Sequence, residues 1–315
     1  MSRSRRLPSR HRDKGRFLKK DREGVASTIG TMMALLIFLT LFTMFTNSYL
    51  PLWMKDNERQ HMTSVMDEMG TLKGKIEIQE SMVSISGQSS LPMFQTFQLG
   101  AAGVPVFVAP TVGVLSLMNN TQCSMTVTYA PKSTWANTSL WTQPVGGCVQ
   151  LWAPNRYFVQ QWITYENNGI LTKQTDGQTM NVAPGVSFNG ALSTMSVGIS
   201  TVNLIAANTS VTGTGSGGVA FSTLYVDTDE IPLSNSAVFI TMKTYNGLAF
   251  WNYFNDTIHS MDQSFVKVGT WHYASANFDM SMPLIAGSDT RNLFIIVKNA
   301  VSLNSNVAYV NAALS

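Results

Sequence analysis

The feature that most constrains this chain is a stretch of thirty residues, Val25 to Met54, without a single Asp, Glu, Lys, Arg or His. An α-helix rises about 1.5 Å per residue, so this stretch exceeds the roughly 30 Å thickness of a bilayer's hydrocarbon core. It can span a membrane with some tilt or with its last turns projecting. The sequence therefore predicts a transmembrane helix over 25–54, with the lipid bilayer as its partner.

Charge is distributed unevenly on the two sides of this stretch. Ten of the 21 Lys and Arg residues fall within Arg3 to Arg22, whereas the residues after Gly24 carry 11 basic and 15 acidic side chains, a net charge of −4. A basic segment directly before an apolar one is the positive-inside signal, which predicts a cytoplasmic N-terminus and an extracellular C-terminal domain. Aromatic residues other than Phe17 do not interleave with the arginines, so we predict no nucleic-acid partner.

The basic leader, Met1 to Gly24, has no apolar period and is expected to be disordered. It ends in Arg22 to Gly24 (REG), which is followed by Val25 to Gly30 (VASTIG) and then by the apolar run. This junction resembles the processing site of archaeal type IV pilins and their relatives. The resemblance implies that a prepilin peptidase cuts between Gly24 and Val25, which leaves a helix capable of self-assembly. Bacterial pilins carry a glutamate at the fifth mature position, where this chain has Ile29.

Two other interpretations of this segment compete with pilin-type processing. A secretory signal peptide has an apolar core of about 7 to 15 residues followed by a cleavage site with small residues. The apolar run here is longer, and the residues Asn47 to Tyr49 before Pro51 offer no such site. An uncleaved signal anchor is the second interpretation, and it would hold a single molecule in the membrane.

A second helical segment, a stalk over 55–80, is predicted directly after the membrane. Pro51 is expected to kink the helix before it. Charged residues and apolar residues of the stalk occupy different faces, and the apolar ones recur every three or four positions, at Met62, Val65, Met66, Met69, Leu72 and Ile76. The stalk either packs against its own head, as in a pilin-type subunit, or merely covers part of the β-domain. Gly70 and Gly74 are expected to end it early.

Residues 81–315 have the pattern of β-strands. Alternating apolar and polar residues predict strands at Val104–Ala109 and Met125–Tyr129. A three-stranded meander is predicted over 157–183, with two-residue turns at Asn168-Gly169 and Asp176-Gly177. Later segments of strand composition are Leu192–Ile205, Val219–Val226, Ala237–Tyr245, Phe265–Tyr273, Asn292–Val297 and Val307–Val310.

Two segments interrupt the strand pattern. Asn208 to Gly218 (NTSVTGTGSGG) is predicted to be a flexible surface loop. Leu248 to Ser260 packs its aromatic residues too densely for alternation, and a short helix across one end of the sheets is expected there. The predicted fold class is therefore α+β, mostly β: a long N-terminal transmembrane and stalk helix followed by an antiparallel β-sandwich-like extracellular domain of one or two subdomains.

The resemblance extends into this domain and covers roughly Arg22 to Phe188. The segments that carry it are similar to those of a group of uncharacterised archaeal membrane proteins with a pilin-like N-terminus: Leu99-Gly100, Gly103–Pro105, Gly113–Leu117, Asn155–Tyr157 and Tyr165–Leu171. These segments are turns and strands. They imply a relationship and no particular chemistry.

Both cysteines, Cys123 and Cys148, lie in the predicted extracellular domain. An oxidising exterior favours a disulfide over two buried thiols. Closing this loop of 24 intervening residues would contribute roughly 3 kcal/mol. The same location permits N-glycosylation at the Asn-x-Ser/Thr sequons, whose number is no more than chance predicts: Asn119, Asn137, Asn208 and Asn255.

Catalytic and nucleotide-binding motifs such as Gly-x-Ser-x-Gly, His-Glu-x-x-His or a Walker loop are absent from the sequence. Three sets of residues could carry chemistry only if the fold brought them together, namely the acidic cluster Asp227, Asp229 and Glu230, the set His259, Asp262 and His272, and the carboxylate pair Glu166 and Asp176. The acidic cluster is predicted to be a solvated turn. We predict no enzymatic activity, no metal and no cofactor.

Only 12% of the chain is charged, about half the usual share, and Thr, Ser, Asn and Gln supply the polar surface. The sequence thus predicts a pilin-like, membrane-anchored structural or adhesive protein of the cell surface, and a filament subunit if the Gly24–Val25 bond is cut. The alternative is a single-pass anchored ectodomain that binds a ligand or has an unrecognised hydrolytic activity, and does not assemble.

Overall fold

The computed structural model describes residues 14–131, 137–283 and 291–315, with side chains from Ala26 onward except that of Asn235. The chain divides into two compact units, of which the first ends at Trp53 and the second is Met54–Ser315. An apolar helix makes up the first unit, and mostly antiparallel β-sheet makes up the second. The predicted fold class, a long N-terminal helix followed by a mostly antiparallel β-rich domain, is confirmed.

The N-terminal helical region consists of helix α1 (Lys14–Met44), a π-helical turn (Phe45–Tyr49) and helix α2 (Leu50–Ser86). In a regular helix the ring of Pro51 would clash with the carbonyl group four residues earlier. The π-turn just before it widens the backbone, and the N–H of Leu50 bonds to the carbonyl oxygen of Phe45. The disturbance expected at Pro51 therefore takes the form of a π-turn.

Both ends of this helical region differ from the prediction. Helix α1 begins at Lys14 rather than Val25, so the expectation of disorder is wrong for 14–24, whereas 1–13 lie outside the described residues. Lys and Arg are good helix formers, and extending a helix costs far less than nucleating one. Helix α2 continues past Gly70 and Gly74 to Ser86, because burial of its apolar face exceeds the ~1 kcal/mol cost of each glycine.

Sixteen strands are present in the described residues. In chain order they are β1 Met93–Gln98, β2 Gly113–Asn119, β3 Ser124–Pro131, β4 Thr138–Ser139, β5 Gly147–Ala153, β6 Gln161–Glu166, β7 Gly169–Gln174, β8 Gly177–Val182, β9 Val186–Asn189, β10 Met195–Ile205, β11 Thr209–Gly213, β12 Ser216–Thr244, β13 Val266–Gly269, β14 His272–Ala274, β15 Phe278–Ser281 and β16 Arg291–Leu314. Helix α3, Gly247–Met261, follows β12 and confirms the helix predicted at Leu248–Ser260.

The strands form two sheets. The larger has the order β13-β14-β15-β16-β12-β3-β4, with β1 also paired to β12, β10 to β16 and β9 to β10, and the smaller has the order β11-β2-β5-β6-β7-β8. All pairs are antiparallel except β10 with β16, which run parallel. Strands β12 and β16 are paired along their lengths: Val219 lies opposite Leu314 at one end, and Thr244 lies opposite Arg291 at the other. Each replaces two predicted strands, because bulges near Pro232 absorb the interruptions.

Two hydrophobic cores lie within the second unit. The first is formed by α3 and the larger sheet, and it contains Phe250, Phe254 and Ile295. The second is formed by α2, the smaller sheet and parts of β1, β10, β12 and β16, and it contains Leu72 and Tyr165. The five predicted core positions of the stalk that are fully buried there are Met62, Val65, Met69, Leu72 and Ile76, while Met66 packs at the edge.

Several local strand and turn predictions are corrected. The predicted turns at Asn168-Gly169 and Asp176-Gly177 lie one residue earlier, since each glycine is the first paired residue of the returning strand. Asn167 and Asn168 both adopt positive φ, which Asn tolerates. The predicted strand Val104–Ala109 is a turn closed by a hydrogen bond from the Val108 N–H to the Val104 carbonyl (2.9 Å).

The predicted flexible loop Asn208–Gly218 is also wrong, because it forms β11 and the start of β12. The glycines in this segment allow neighbouring groups to pack closely against the backbone, and they do not make it a flexible loop. A Cβ atom at Gly218 would lie 2.1 Å from the ring of Phe94 on the neighbouring strand β1. Glycine is therefore needed here for contact between strand and ring.

Candidate functional site

The apolar helix of the first unit exposes large hydrophobic side chains on every side. Successive residues point about 100° apart around a helix, and residues 35–39 are all between 46% and 61% exposed. Thr31, Thr40 and Thr46 donate their hydroxyl hydrogens to carbonyl groups three or four residues earlier, at 2.8–3.0 Å. These three hydroxyl groups are thus satisfied within the helix. By length and composition the helix Ala26–Ser86 could span a membrane.

The predicted processing site lies inside helix α1. Gly24 and Val25 both have helical backbone, and their side chains are outside the described part of the chain. Cleavage between them stays a prediction.

Helix α2 is held to the β-rich part of the second unit by a buried carboxylate. Glu58 has no exposed surface. Its two oxygens accept hydrogen bonds from three successive backbone N–H groups, those of Arg156 (2.9 Å), Tyr157 (2.8 Å) and Phe158 (2.6 Å). Charged acceptors make the stronger kind of hydrogen bond. This one side chain therefore fixes the loop 154–160 against the helix.

Further polar contacts continue this attachment along α2. His61 hydrogen-bonds the carbonyl of Gln98 (2.7 Å), and Glu68 accepts from the N–H of the same residue (3.1 Å). Lys75 donates to the carbonyl of Phe94 (2.8 Å). Burial lowers the pKa of His61 and raises the pKa of Glu68, in each case against the effect of the bond to Gln98. Sequence periodicity predicted the apolar face of this helix and missed these polar bonds.

The two cysteines form the predicted disulfide, with Cα atoms 6.0 Å apart. It connects the turn after β2 to the start of β5. Of the sequons, Asn137 and Asn208 are exposed, whereas the amide of Asn119 donates to the Ala206 carbonyl (3.1 Å) and the side-chain oxygen of Asn255 is buried. The side chain of Asn208 is engaged as well, since its oxygen accepts from the Asn119 N–H (2.8 Å) and its amide donates to the Thr121 hydroxyl (3.4 Å). Glycosylation stays a prediction.

The set His259, Asp262 and His272, which could carry chemistry only if the fold brought it together, does not form one site. His259 hydrogen-bonds the Phe265 carbonyl (3.3 Å), and His272 hydrogen-bonds Asp279 (2.9 Å). Asp262 is buried, which raises its pKa, but hydrogen bonds from Ser264, Asn277 and Ser275 outweigh this and lower the pKa to about 2. No three His, Cys, Asp or Glu side chains could hold a metal ion in the described ranges.

The predicted acidic turn is wrong as a turn, because Asp227, Asp229 and Glu230 lie within β12, paired with β16. Asp229 and Glu230 line an open groove of about 500 Å³ beside β10. Asp227 lines a different cavity, which is described below.

Glu166 and Asp176 do not converge. They lie at opposite ends of the hairpin strand β7, whose six residues span roughly 17–20 Å; a glycosidase pair needs roughly 5–10 Å. Glu166 is fully buried, and burial raises its pKa to about 7 against hydrogen bonds from Thr244 (2.9 Å) and Asn246 (3.1 Å). Its second oxygen has no hydrogen-bond partner among the described residues.

The cavity beside Asp227 is a candidate ligand site, which we call the aromatic cleft. It has a volume of about 330 Å³ and is lined by Asn120, the loop 140–145, Asn203, Tyr225, Asp227 and Tyr309. The row Asn203–Tyr309–Tyr225 crosses three neighbouring strands, β10, β16 and β12, in register. The sequence shows no local motif for this site, because its residues come from positions up to 189 apart (120 to 309).

The tyrosines of the cleft form a stacked pair. The ring centroids of Tyr225 and Tyr309 are 4.3 Å apart with an angle of 16° between the planes. Burial raises the pKa of Tyr309, and the neighbouring Tyr225 and Asp227 raise it further. Tyr309 therefore stays a neutral phenol at physiological pH.

No protein-family model matches this chain, and no curated protein or solved structure matches it either. The pilin-like resemblance at the N-terminal junction stays a prediction.

Proposed function

We propose that this chain is a pilin-like, membrane-anchored cell-surface protein, with the apolar helix in the bilayer or in a filament core and the β-rich unit outside the cell. The observation that carries the proposal is the surface of the first unit's helix, which exposes large apolar side chains on all sides while Thr31, Thr40 and Thr46 bond within the helix. Such a surface suits lipid or identical helices. The basic residues before it support a cytoplasmic N-terminus, and the Cys123–Cys148 disulfide suits an oxidising exterior.

Mass spectrometry of the mature N-terminus in separated fractions tests this proposal. We expect a chain that begins at Val25, found in sheared surface filaments or in the membrane. Gly24→Phe should block processing, whereas the matched change Gly30→Ala should not, because a Cβ atom at Gly30 would meet no atom within 4 Å. An intact Met1 terminus confined to membranes would remove filament assembly and leave the plain anchor. A chain found free of the membrane without cleavage would contradict both.

A second candidate function is an anchored ectodomain that binds a ligand and does not assemble. The aromatic cleft favours it, because a concave site with convergent polar groups is the usual form of a ligand site. Ligand binding itself is compatible with either anchoring or assembly, since the cleft and the apolar helix belong to different units.

A further inference from the structure

The aromatic cleft offers an open aromatic surface beside a cavity. Tyr225 is 51% exposed although its ring stacks on Tyr309. The stack and the strand pairing of Tyr225 with Tyr309 hold the exposed ring in one position. A rigid, half-exposed ring is a surface on which a flat, weakly polar molecule can pack at small entropic cost.

Polar side chains of the cleft are held in place by bonds of their own. The amide of Asn120 donates to the Pro144 carbonyl (2.8 Å), which leaves its oxygen as an acceptor. The oxygen of Asn203 accepts from the Gly146 N–H (3.1 Å), which leaves its amide as a donor. The N–H of Trp141 is buried and has no partner in the described part of the chain. The oxygen of Asn120 and the amide of Asn203 are thus preorganised as an acceptor and a donor among the lining residues of the cleft.

The loop 140–145, which lines the cleft, is held at its C-terminal end by hydrogen bonds. The N–H and carbonyl groups of Val145 both bond to Met125, at 3.0 and 2.6 Å. Gly146 and Gly147, which have φ values of 136° and 131°, then lead into Cys148 and its disulfide with Cys123. The C-terminal end of this loop is therefore fixed by backbone hydrogen bonds and by the disulfide next to it.

We propose that the aromatic cleft binds a neutral saccharide. A pyranose ring has a flat face of C–H groups that packs on an aromatic ring, and its hydroxyl groups act as both donors and acceptors. Tyr225, which is exposed and is backed by the stacked ring of Tyr309, matches the first property. Asn120, Asn203 and Asp227 match the second. The volume of about 330 Å³ suits one or two sugar units, since it is at the small end of ligand pockets.

The charges of the cleft narrow the ligand class. Among the described lining residues no Lys or Arg is present and Asp227 supplies the one carboxylate, so an anionic glycan is disfavoured. Hydrolysis of a glycosidic bond requires two carboxyl groups in most enzymes of this kind. The cleft therefore binds rather than cleaves. This inference names the ligand class of the second candidate function and does not depend on whether the apolar helix anchors or assembles.

The test uses the full chain in lauryldimethylamine oxide, a detergent without a sugar headgroup. The protein is applied to an array of neutral oligosaccharides that end in glucose, galactose, mannose or N-acetylglucosamine, with aromatic dipeptides as comparison spots. The best free saccharide is then titrated by tryptophan fluorescence. We expect Tyr225→Ala to weaken binding about tenfold or more and Tyr225→Phe to retain it within about threefold, because the ring carries the contact. Asp227→Asn should weaken binding less than Tyr225→Ala.

Tyr157→Ala is the matched control, because Tyr157 is also exposed and lies outside the cleft. Circular dichroism and mapping of the disulfide show whether each variant is folded. Absence of saccharide binding by the wild-type chain would overturn the proposal, as would equal losses in Tyr225→Ala and Tyr157→Ala or a preference for the dipeptides. None of these results bears on membrane anchoring, which the cell fractions test separately.

Discussion

The two parts of the N-terminal helical region use similar side chains in opposite ways. Leu36 in the first unit is 61% exposed, whereas Leu72 in the second unit is fully buried. Threonine hydroxyls of the first part bond within their own helix, while Glu58 and His61 of the second part bond to backbone groups far away in sequence. The first part therefore leaves its apolar surface uncovered within this chain, whereas the second part buries its apolar face against the β-rich domain.

The largest expected effect tests whether the first part lies in lipid, unlike the second. Changing Leu35, Leu36 and Leu39 together to Arg would cost about 3 kcal/mol per residue for insertion into a bilayer. We expect the triple variant to leave the carbonate-resistant membrane fraction. The same three residues changed to Ala should remain there, and equal behaviour of the two variants would contradict a lipid environment for this helix.

The second prediction concerns the buried carboxylate. Glu58→Ala leaves three backbone N–H groups without their acceptor and should lower the free energy of unfolding of the second unit by about 4 kcal/mol. Glu77→Ala is the control, because Glu77 is half exposed and its ion pair with Lys73 is of a kind worth at most about 1 kcal/mol. Urea midpoints of the full chain in detergent measure both. Similar midpoints would show that Glu58 does not hold the helix.

A pair of identical substitutions sharpens the comparison further. Leu72→Ala removes a fully buried side chain from the second core and should cost about 3 kcal/mol of unfolding free energy. Leu36→Ala should change the free energy of unfolding, obtained from the same urea titration, by less than about 0.5 kcal/mol, because Leu36 is outside that core. A loss in Leu36→Ala as large as in Leu72→Ala would remove the distinction between the two parts.

The last and smallest effect is a dependence on pH that only the β-rich unit should show. Burial raises the pKa of Glu166 to about 7 in the folded state. The contribution of its neutral carboxyl group to the free energy of unfolding is therefore fully present below the unfolded pKa of about 4.5, and it is lost as pH rises through 7. Relative to Glu166→Gln, the wild-type chain should lose at most about 3 kcal/mol of unfolding free energy between pH 4.5 and 8.

The measurement for this prediction is the difference in urea midpoint between the two proteins across that pH range. A constant difference would mean that Glu166 titrates normally. The membrane fraction should not change with pH, because 25–54 contains no Asp, Glu, Lys, Arg or His.

Periodicity predicted the parts of the fold in which a single face is buried. The stalk residues from Met62 to Ile76 and strand β3 are such parts. Helix α3 was predicted for a different reason, because its aromatic residues are too dense for strand alternation. Periodicity failed for β12 and β16, where Pro232 and runs of polar residues look like turns but are absorbed by bulges between two long paired strands. Each strand contributes to both cores, so its buried face changes along its length and no single alternation describes it.

The candidate sites differ in the same way. The apolar helix and the disulfide were predictable because each follows from local composition or from a pair of residues. The aromatic cleft was not, because Asn203, Tyr225 and Tyr309 become neighbours only through the pairing of β10, β16 and β12. Nothing in the sequence around any of these residues indicates their partners.

The long pairing of β12 with β16 also determines how this unit would carry mechanical load. Both strands run from one hydrophobic core into the other, so a pull that draws the cores apart acts along the strands. The pull is then carried by two covalent backbones in parallel, and it does not open the hydrogen bonds between them one after another. We expect the unit to yield as a single body under tension, at high force, instead of unravelling from one end.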